Sequence, residues 1–201
     1  LVAERADDGD YVWVNSNGTL SGTDYTNNLT FSRIRYQKGA VLSHYAGDTF
    51  YMSEYVDAAG TTWMVRDVQP SIDFVNRRLL IGCRTTDMRH NVIYDLDAVL
   101  ALGKETVEIT RTWGGETAAE GVTEKKTETT SVEVRNLNRL TPLGSFRLPS
   151  YLNTGQTHQV YSYSHQGQAV WGDYVYWYEG QAIHQTGELY DGSVAYVAVF
   201  D

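Results

Sequence analysis

Aromatic residues crowd into one short stretch near the end of the chain, with polar side chains beside them. The rings of this stretch belong to Trp171, Tyr174, Tyr176, Trp177 and Tyr178. Aromatic faces bind the apolar C–H patches of sugars, and short polar side chains bind sugar hydroxyl groups. These residue types predict a carbohydrate-binding site, whose ligand-binding residues we expect to be His165, Gln166, Trp171, Asp173 and Tyr174.

A strand through this stretch divides the rings between two faces. Successive side chains of a strand point to opposite sides, so Tyr174, Tyr176 and Tyr178 share one face while Val175 and Trp177 share the other. One of the two faces must therefore belong to the core. Packing between sheets explains most of these rings, because large aromatic residues are usually well buried. We expect His165, Gln166 and Trp171 to lie in the turn before this strand and to face the ligand.

Paired carboxylates are the first catalytic possibility. Glycoside hydrolysis needs two acids held roughly 5 to 10 Å apart across the sugar. Asp95 and Asp97 alternate along an expected strand, as do Asp8 and Asp10, so each pair would share a face. Such pairs are typical of solvated strand edges, and we predict no catalytic residue. A propeller-type glycosidase or cell-wall hydrolase remains the enzymatic alternative.

Other reactive or metal-binding motifs are missing from the sequence. There is no Gly-x-Ser-x-Gly elbow for a serine nucleophile and no His-Glu-x-x-His metal motif. Residues 7–10 could bind Ca²⁺, but an acidic turn is the better interpretation, so no cofactor is predicted. Cys83 is the only cysteine and lies in an apolar run, which indicates a buried thiol and excludes an internal disulfide.

Composition limits the class of protein. The 201 residues carry a net charge of −9, and nucleic acids require a basic surface, so we predict no nucleic-acid partner. No apolar stretch approaches the roughly 18 residues of a membrane span. The 15 tyrosines, 5 tryptophans and 18 glycines are typical of strands joined by tight turns. We expect one domain over residues 1–201, within a chain that could itself be longer.

A Gly-Asp pair followed by an aromatic strand recurs along the chain. The copies are residues 9–14, 47–52 and 172–177, and they fit intervals averaging about 41 residues, the length of a four-stranded propeller blade. We therefore predict an all-β fold. Within this class we predict a β-propeller of about five four-stranded antiparallel blades, present either as a whole propeller or as part of one. A lectin-like β-sandwich is the alternative. Residues 96–102 predict a brief helical turn, residues 123–134 a solvent-facing strand or hairpin, and residues 142–156 a long connection.

Two segments carry a resemblance to a known family. Residues 160–176, with a Gln-Gly pair and an Asp-led turn into an aromatic strand, resemble the helveticin J family of bacteriocin-like proteins. Residues 73–81 and 91–97 resemble the same family's strand, turn and Tyr-(Asn/Asp)-Leu-Asp segment. The resemblance implies a secreted, propeller-like module that binds glycan on bacterial surfaces. It further implies the targeting part of an antibacterial toxin or bacteriocin, with other toxin subunits or domains as partners. A non-binding structural subunit is the remaining alternative.

Overall fold

A computed structural model shows that the chain is built almost entirely from β-strands. It describes residues 2–15, 29–41, 47–85, 89–113, 117–118, 121–122, 126–148, 164–185 and 188–200. Within these ranges the strands form sheets of six, four and three strands and two small hairpins. None of the described sheets closes on itself. The predicted all-β class is confirmed.

The largest sheet combines a meander from the start of the chain with a later hairpin. In spatial order its strands are β1 (Val2–Ala6), β2 (Gly9–Asn15), β3 (Thr30–Arg35), β4 (Asp48–Tyr51), β13 (Lys126–Asn136) and β10 (Lys104–Trp113). Strand β13 runs parallel to β4, and the other neighbours are antiparallel. The predicted strand over residues 123–134 is confirmed from residue 126 onward as β13, whose exposed residues alternate with buried Val132 and Val134. Residues 123–125 lie outside the described residues.

The second sheet lies in the middle of the chain. Its spatial order is β14 (Gly144–Leu148), β9 (Arg89–Asp95), β8 (Arg78–Arg84) and β7 (Arg66–Asp73). A hairpin of β5 (Glu54–Val56) and β6 (Thr62–Met64) precedes it, and a two-residue pair, β11 (Thr117–Ala118) and β12 (Gly121–Val122), lies between β10 and β13. Strand β14 falls inside residues 142–156, so the prediction of a long connection between strands is wrong for its first part, and residues 149–156 lie outside the described residues.

The third sheet contains the aromatic stretch. It is a meander of β15 (Ser164–Trp171), β16 (Tyr174–Gln185) and β17 (Glu188–Phe200), in that order. Gly172 and Asp173 form the tight turn between the first two strands. Gly172 has a φ of +58°, a left-handed conformation that glycine adopts without a steric cost.

One short helix interrupts the strands of the described residues, as the sequence predicted. Helix α1 (Leu96–Ala101) begins where the side chain of Asp95 accepts a hydrogen bond from the backbone N–H of Ala98, a typical N-cap. A single 3-10 turn, Leu137–Arg139, follows β13 and is capped in the same way by Asn136. Both turns bury leucines against the core.

The three sheets stack face to face, and the second sheet is buried on both sides. Leu79 and Ile81 of β8 pack in the main core with Trp13, Phe31 and Phe50, whose rings are stacked. Leu80, between them on β8, points the opposite way and packs against Val170 and Val175 of the third sheet. This explains the uninterrupted apolar run of β8, because a strand covered on both faces needs no polar alternation.

The recurring Gly-Asp segments have a different meaning from the one their spacing suggested. Gly9, Gly47 and Gly172 all have positive φ and each leads into a strand, β2, β4 or β16. However, β2 and β4 belong to the same sheet, separated by β3. The interpretation that each copy starts a new blade is therefore wrong for the first two copies. What the segments share is a glycine-dependent turn into a strand.

Candidate functional site

The third sheet presents an aromatic surface to solvent. Trp171, Tyr174 and Tyr178 have 57%, 48% and 41% of their surface exposed, whereas Val175 and Trp177 are buried at 5% each. The alternation predicted for this strand is confirmed. Strand register places Trp171 opposite Tyr174 at the turn, so two large rings lie side by side at one end of the sheet.

The neighbouring strand extends this surface with aliphatic side chains. Val197 and Val199 of β17 lie opposite Tyr178 and Tyr176 and are 64% and 54% exposed. We call this surface the aromatic face; its members are Trp171, Tyr174, Tyr176, Tyr178, Val197 and Val199. Alternate residues of a strand are about 6.8 Å apart, so the three tyrosines extend over roughly 14 Å. The two valines lacked a polar or aromatic signature, and only their alternation along β17 could have indicated them.

The turn at the end of the aromatic face is fastened to the second sheet. Asp73, buried at the end of β7, accepts hydrogen bonds from the backbone N–H groups of Val75 and Asn76, from the Asn76 side chain, and from the backbone N–H of Gly172 at 2.6 Å. Burial raises the pKa of Asp73, but these hydrogen bonds outweigh it and hold the pKa below its ordinary value. The ionised carboxylate therefore positions the turn that carries Trp171 and Asp173.

The opposite face of the hairpin is packed and hydrogen-bonded. Gln168 of β15 donates from Nε2 to the backbone oxygen of Gln69 at 3.1 Å. Its amide lies over Gly82 of β8, where an added Cβ would collide with the Gln168 Oε1 atom. Val170 and Val175 fill the space beside it against Leu80. The third sheet is therefore packed against the second sheet, and the exposed rings of the aromatic face lie on its other side.

The structure brings together some of the predicted ligand-binding residues and separates the others. Trp171, Asp173 and Tyr174 meet at the β15–β16 turn, and all three are exposed. His165 and Gln166 lie in β15 itself, about 20 Å along the strand from Trp171. His165 is opposite Glu179, and a bulge leaves Gln166 as the extra residue. The expectation that they share a turn with Trp171 is wrong, and their side chains lie outside the described part of the structure.

The carboxylate pairs considered for catalysis are engaged in structural contacts. Asp95 caps α1 and Asp97 lies within that helix, paired with Arg77, so the expectation that both share a strand face is wrong. Asp8 lies in the β1–β2 turn and accepts a hydrogen bond from the Tyr11 hydroxyl, which lowers the Asp8 pKa. Asp10 of β2 pairs with Arg5 on the surface. The predicted acidic turn is confirmed.

Cys83 and His90 are both buried. Cys83 is 1% exposed in the main core, and burial raises its thiol pKa to about 12, so the predicted buried thiol is confirmed. His90 has no exposed surface, and burial, with a smaller effect of nearby Arg147, lowers its pKa. Two other histidines of the sequence, His44 and His158, lie outside the described residues.

No family model, no curated protein and no solved structure matches this chain. Among the described residues, no helix has both the length and the apolar character that crossing a bilayer requires. The fold and the site therefore define the class as an all-β protein whose described residues form stacked, mainly antiparallel sheets and an exposed aromatic face.

Proposed function

We propose that this protein is a carbohydrate-binding, lectin-like module whose binding surface is the aromatic face. The observation that carries the proposal is the exposure of Trp171, Tyr174 and Tyr178 on one side of a sheet whose other side is packed. Large rings held in water at a fixed spacing are unusual in a sheet that has a core available to it. They offer stacking surfaces for successive sugar rings of a glycan.

Polar groups around the rings suit a neutral glycan. Asp173 at the turn and the hydroxyl groups of the tyrosines supply hydrogen-bond donors and acceptors for sugar hydroxyls. The protein's net charge of −9 disfavours strongly anionic polymers at the same surface.

The biological setting that we propose follows from the resemblance to the helveticin J family. It implies secretion and a glycan on the surface of another bacterium, with this chain as the targeting part of an antibacterial toxin. We also propose that the stacked sheets are blades of a propeller. The face-to-face stacking of the three sheets supports this proposal.

A second function has its own support. Val197 and Val199 are more exposed than the neighbouring tyrosines, and aliphatic side chains contribute little to sugar recognition. Aromatic residues together with exposed aliphatic ones are typical of the centre of protein–protein interfaces. The alternative is that the aromatic face packs against another subunit or domain of a toxin assembly.

A glycan array and a pull-down on purified bacterial cell walls test the first function. We expect binding that Trp171→Ala and Tyr178→Ala each weaken by about tenfold or more, since each removes one stacking contact. Tyr36→Ala is the matched control. Tyr36 is 58% exposed and lies in the loop after β3, outside the third sheet. Absence of binding to every glycan and cell wall tested would overturn the proposal.

Sedimentation analysis separates the alternative from glycan binding. If the aromatic face is an assembly surface for a second copy, the wild type associates with increasing concentration and a Val197→Ser, Val199→Ser variant does not. Glycan binding by a monomer that these two substitutions leave intact would contradict the assembly function.

A further inference from the structure

A pocket of about 310 Å³ opens on the opposite side of the second sheet from the aromatic face. It lies between the β5–β6 hairpin and the edge strand β14. The side chains that matter to its chemistry are Tyr55, Asp57, Trp63, Ser145 and Arg147. Its volume is near the lower limit for small-molecule sites, with space for about ten water molecules. None of the sequence motifs indicated it, because its residues come from three separate segments.

A chain of hydrogen bonds forms the base of the pocket. The Tyr55 hydroxyl is 2.5 Å from Nδ1 of His90, and Nε2 of His90 is 3.3 Å from Oγ1 of Thr85. The neighbouring Ser145 hydroxyl acts on Tyr55 in the direction that lowers its pKa, against the larger effect of burial. Tyr55 and His90 are buried, at 4% and 0% exposed. Burial raises the pKa of Tyr55 to about 12, so this hydroxyl stays protonated at neutral pH.

The same chain determines what Ser145 can offer. Tyr55 either donates to His90 and accepts from Ser145, or accepts from His90 and donates to Ser145. The first arrangement leaves Ser145 as an acceptor toward the pocket, and the second leaves it as a donor. A ligand hydroxyl group can donate or accept, so it fits the Ser145 end of the chain in both arrangements.

Arg147 brings a positive charge to the wall of the pocket. Its guanidinium lies over the Trp63 ring, 5.2 Å from the ring centroid. The nearby Asp57 carboxylate accepts from the backbone N–H groups of Ala59 and Thr61 and from Nε1 of Trp63. Asp57 thus holds the β5–β6 turn and the Trp63 ring. Arg147 is absent from the ion pairs found among the described residues.

His90 leaves Arg147 as the cation of the pocket at neutral pH. Burial, with a smaller effect of Arg147, lowers the His90 pKa, so the imidazole is neutral there. A guanidinium presents a planar fork of donors that matches a carboxylate in two parallel hydrogen bonds. Asp57 in the same lining is ionised, because its hydrogen bonds and nearby Arg147 lower its pKa, so the pocket accepts a singly charged carboxylate more readily than a phosphate dianion.

We propose that this pocket binds a small hydroxycarboxylate of sugar-acid size, with its carboxylate on Arg147 and a hydroxyl group on Ser145. The site is formed by β5, β6 and β14, whereas the aromatic face belongs to β15, β16 and β17. The inference therefore stands or falls independently of glycan binding at the aromatic face.

Titration of the full chain with glucuronate tests the proposal. We expect saturable heat of binding in calorimetry, together with amide shifts of Ala58, Ala59 and Arg147 in nitrogen–proton correlation spectra. Glucose lacks the carboxylate, acetate lacks the hydroxyl groups, and inorganic phosphate carries more charge. We expect each of the three to bind at least about tenfold more weakly than glucuronate. Glucose loses the charge-assisted contact to Arg147, acetate loses the hydroxyl contact to Ser145, and phosphate leaves part of its charge unbalanced.

Three variants assign the contacts. Arg147→Gln should weaken glucuronate binding by about tenfold or more, and Arg147→Lys by less, because lysine keeps the charge without the planar fork. Ser145→Ala should weaken it by about threefold to tenfold. Arg5→Gln is the control with the same change of net charge, since Arg5 is a 90% exposed surface residue, and it should change affinity by less than about twofold.

The wild-type spectra keep the proposal falsifiable even if a variant fails to fold. Glucuronate shifts confined to residues outside the pocket, equal binding of glucose and glucuronate, or no saturable shift at all would each overturn it. Unchanged affinity in a folded Arg147→Gln variant would overturn it as well.

Discussion

The Asp73 carboxylate accepts a hydrogen bond from the backbone N–H of Gly172 at 2.6 Å, and this contact joins two hairpin turns 99 residues apart. One turn connects β7 to β8, and the other connects β15 to β16. Because the second turn carries Trp171 and Asp173, the orientation of the proposed glycan surface depends on a buried acid in the neighbouring sheet.

Replacing Asp73 with asparagine should destabilise the protein markedly. Each carboxylate oxygen of Asp73 accepts hydrogen bonds from two N–H donors. An amide NH₂ in place of either oxygen would place donors opposite those two N–H groups. We expect a loss of about 2–4 kcal/mol in the free energy of unfolding, from the lost hydrogen bonds and the donors left without an acceptor. Urea denaturation measures it. A change below about 0.5 kcal/mol would contradict the role given to this carboxylate.

The contribution of Asp73 should also depend on pH. Its folded-state pKa lies below the unfolded value, so the ionised form stabilises the fold at every pH above the unfolded-state pKa of about 3.9. This stabilisation is lost as the pH falls through the lower pKa of the folded state. The difference in unfolding free energy between wild type and Asp73→Asn should therefore be constant from pH 7 to about 5 and shrink below about pH 4. A difference that grew toward acid pH would contradict this.

A steric contact between sheets predicts coupling between Gly82 and Gln168. A methyl group at position 82 would meet the Gln168 amide, which is held by its hydrogen bond to the Gln69 backbone oxygen. Gly82→Ala should destabilise the wild type by about 1–3 kcal/mol and a Gln168→Ala background by less than half as much. A double-mutant cycle measures the coupling. Equal costs in both backgrounds would show that the two residues do not meet.

Two tryptophans of the third sheet should behave in opposite ways. Trp171 is 57% exposed and Trp177 is 5% exposed. Trp171→Ala should change the free energy of unfolding by no more than about 0.5 kcal/mol, whereas Trp177→Ala should cost about 3–5 kcal/mol by opening a cavity. Thermal denaturation of the two variants checks this. Similar melting temperatures would contradict the assigned faces.

The buried ion pair at the start of the chain should be needed for stability. Glu4 accepts from Nε1 of Trp13 at 2.8 Å and from Nε of Arg33 at 2.7 Å, and both charged side chains are largely buried. Glu4→Gln leaves the Arg33 charge unbalanced and should cost about 2–4 kcal/mol. Asp10→Asn is the control, because the Arg5–Asp10 pair is exposed and should cost less than about 1 kcal/mol. Equal losses would argue against the burial of the first pair.

Local patterns predicted much of the secondary structure and the two faces of β16. The alternation of tyrosines with Val175 and Trp177 is a period of two, which a strand converts directly into exposed and buried faces. The apolar run around Cys83 likewise predicted its burial, because few polar atoms there need water. Asp95 and Asp97 show where the same pattern fails. The Asp95 side chain caps helix α1 instead. Strand β9 therefore ends at Asp95, and Asp97 lies in the helix.

By itself the sequence determined the all-β class, the acidic net charge and which rings of the aromatic stretch share a face of the strand. These follow from composition and from the geometry of a strand, in which the side chains of successive residues point to opposite faces. Only the tertiary structure decided that β2 and β4 share a sheet, that Asp73 holds the Gly172 turn, and that Tyr55 and Arg147 line one pocket. Such contacts join residues far apart in the chain, and the packing of whole sheets selects them, which no local pattern encodes.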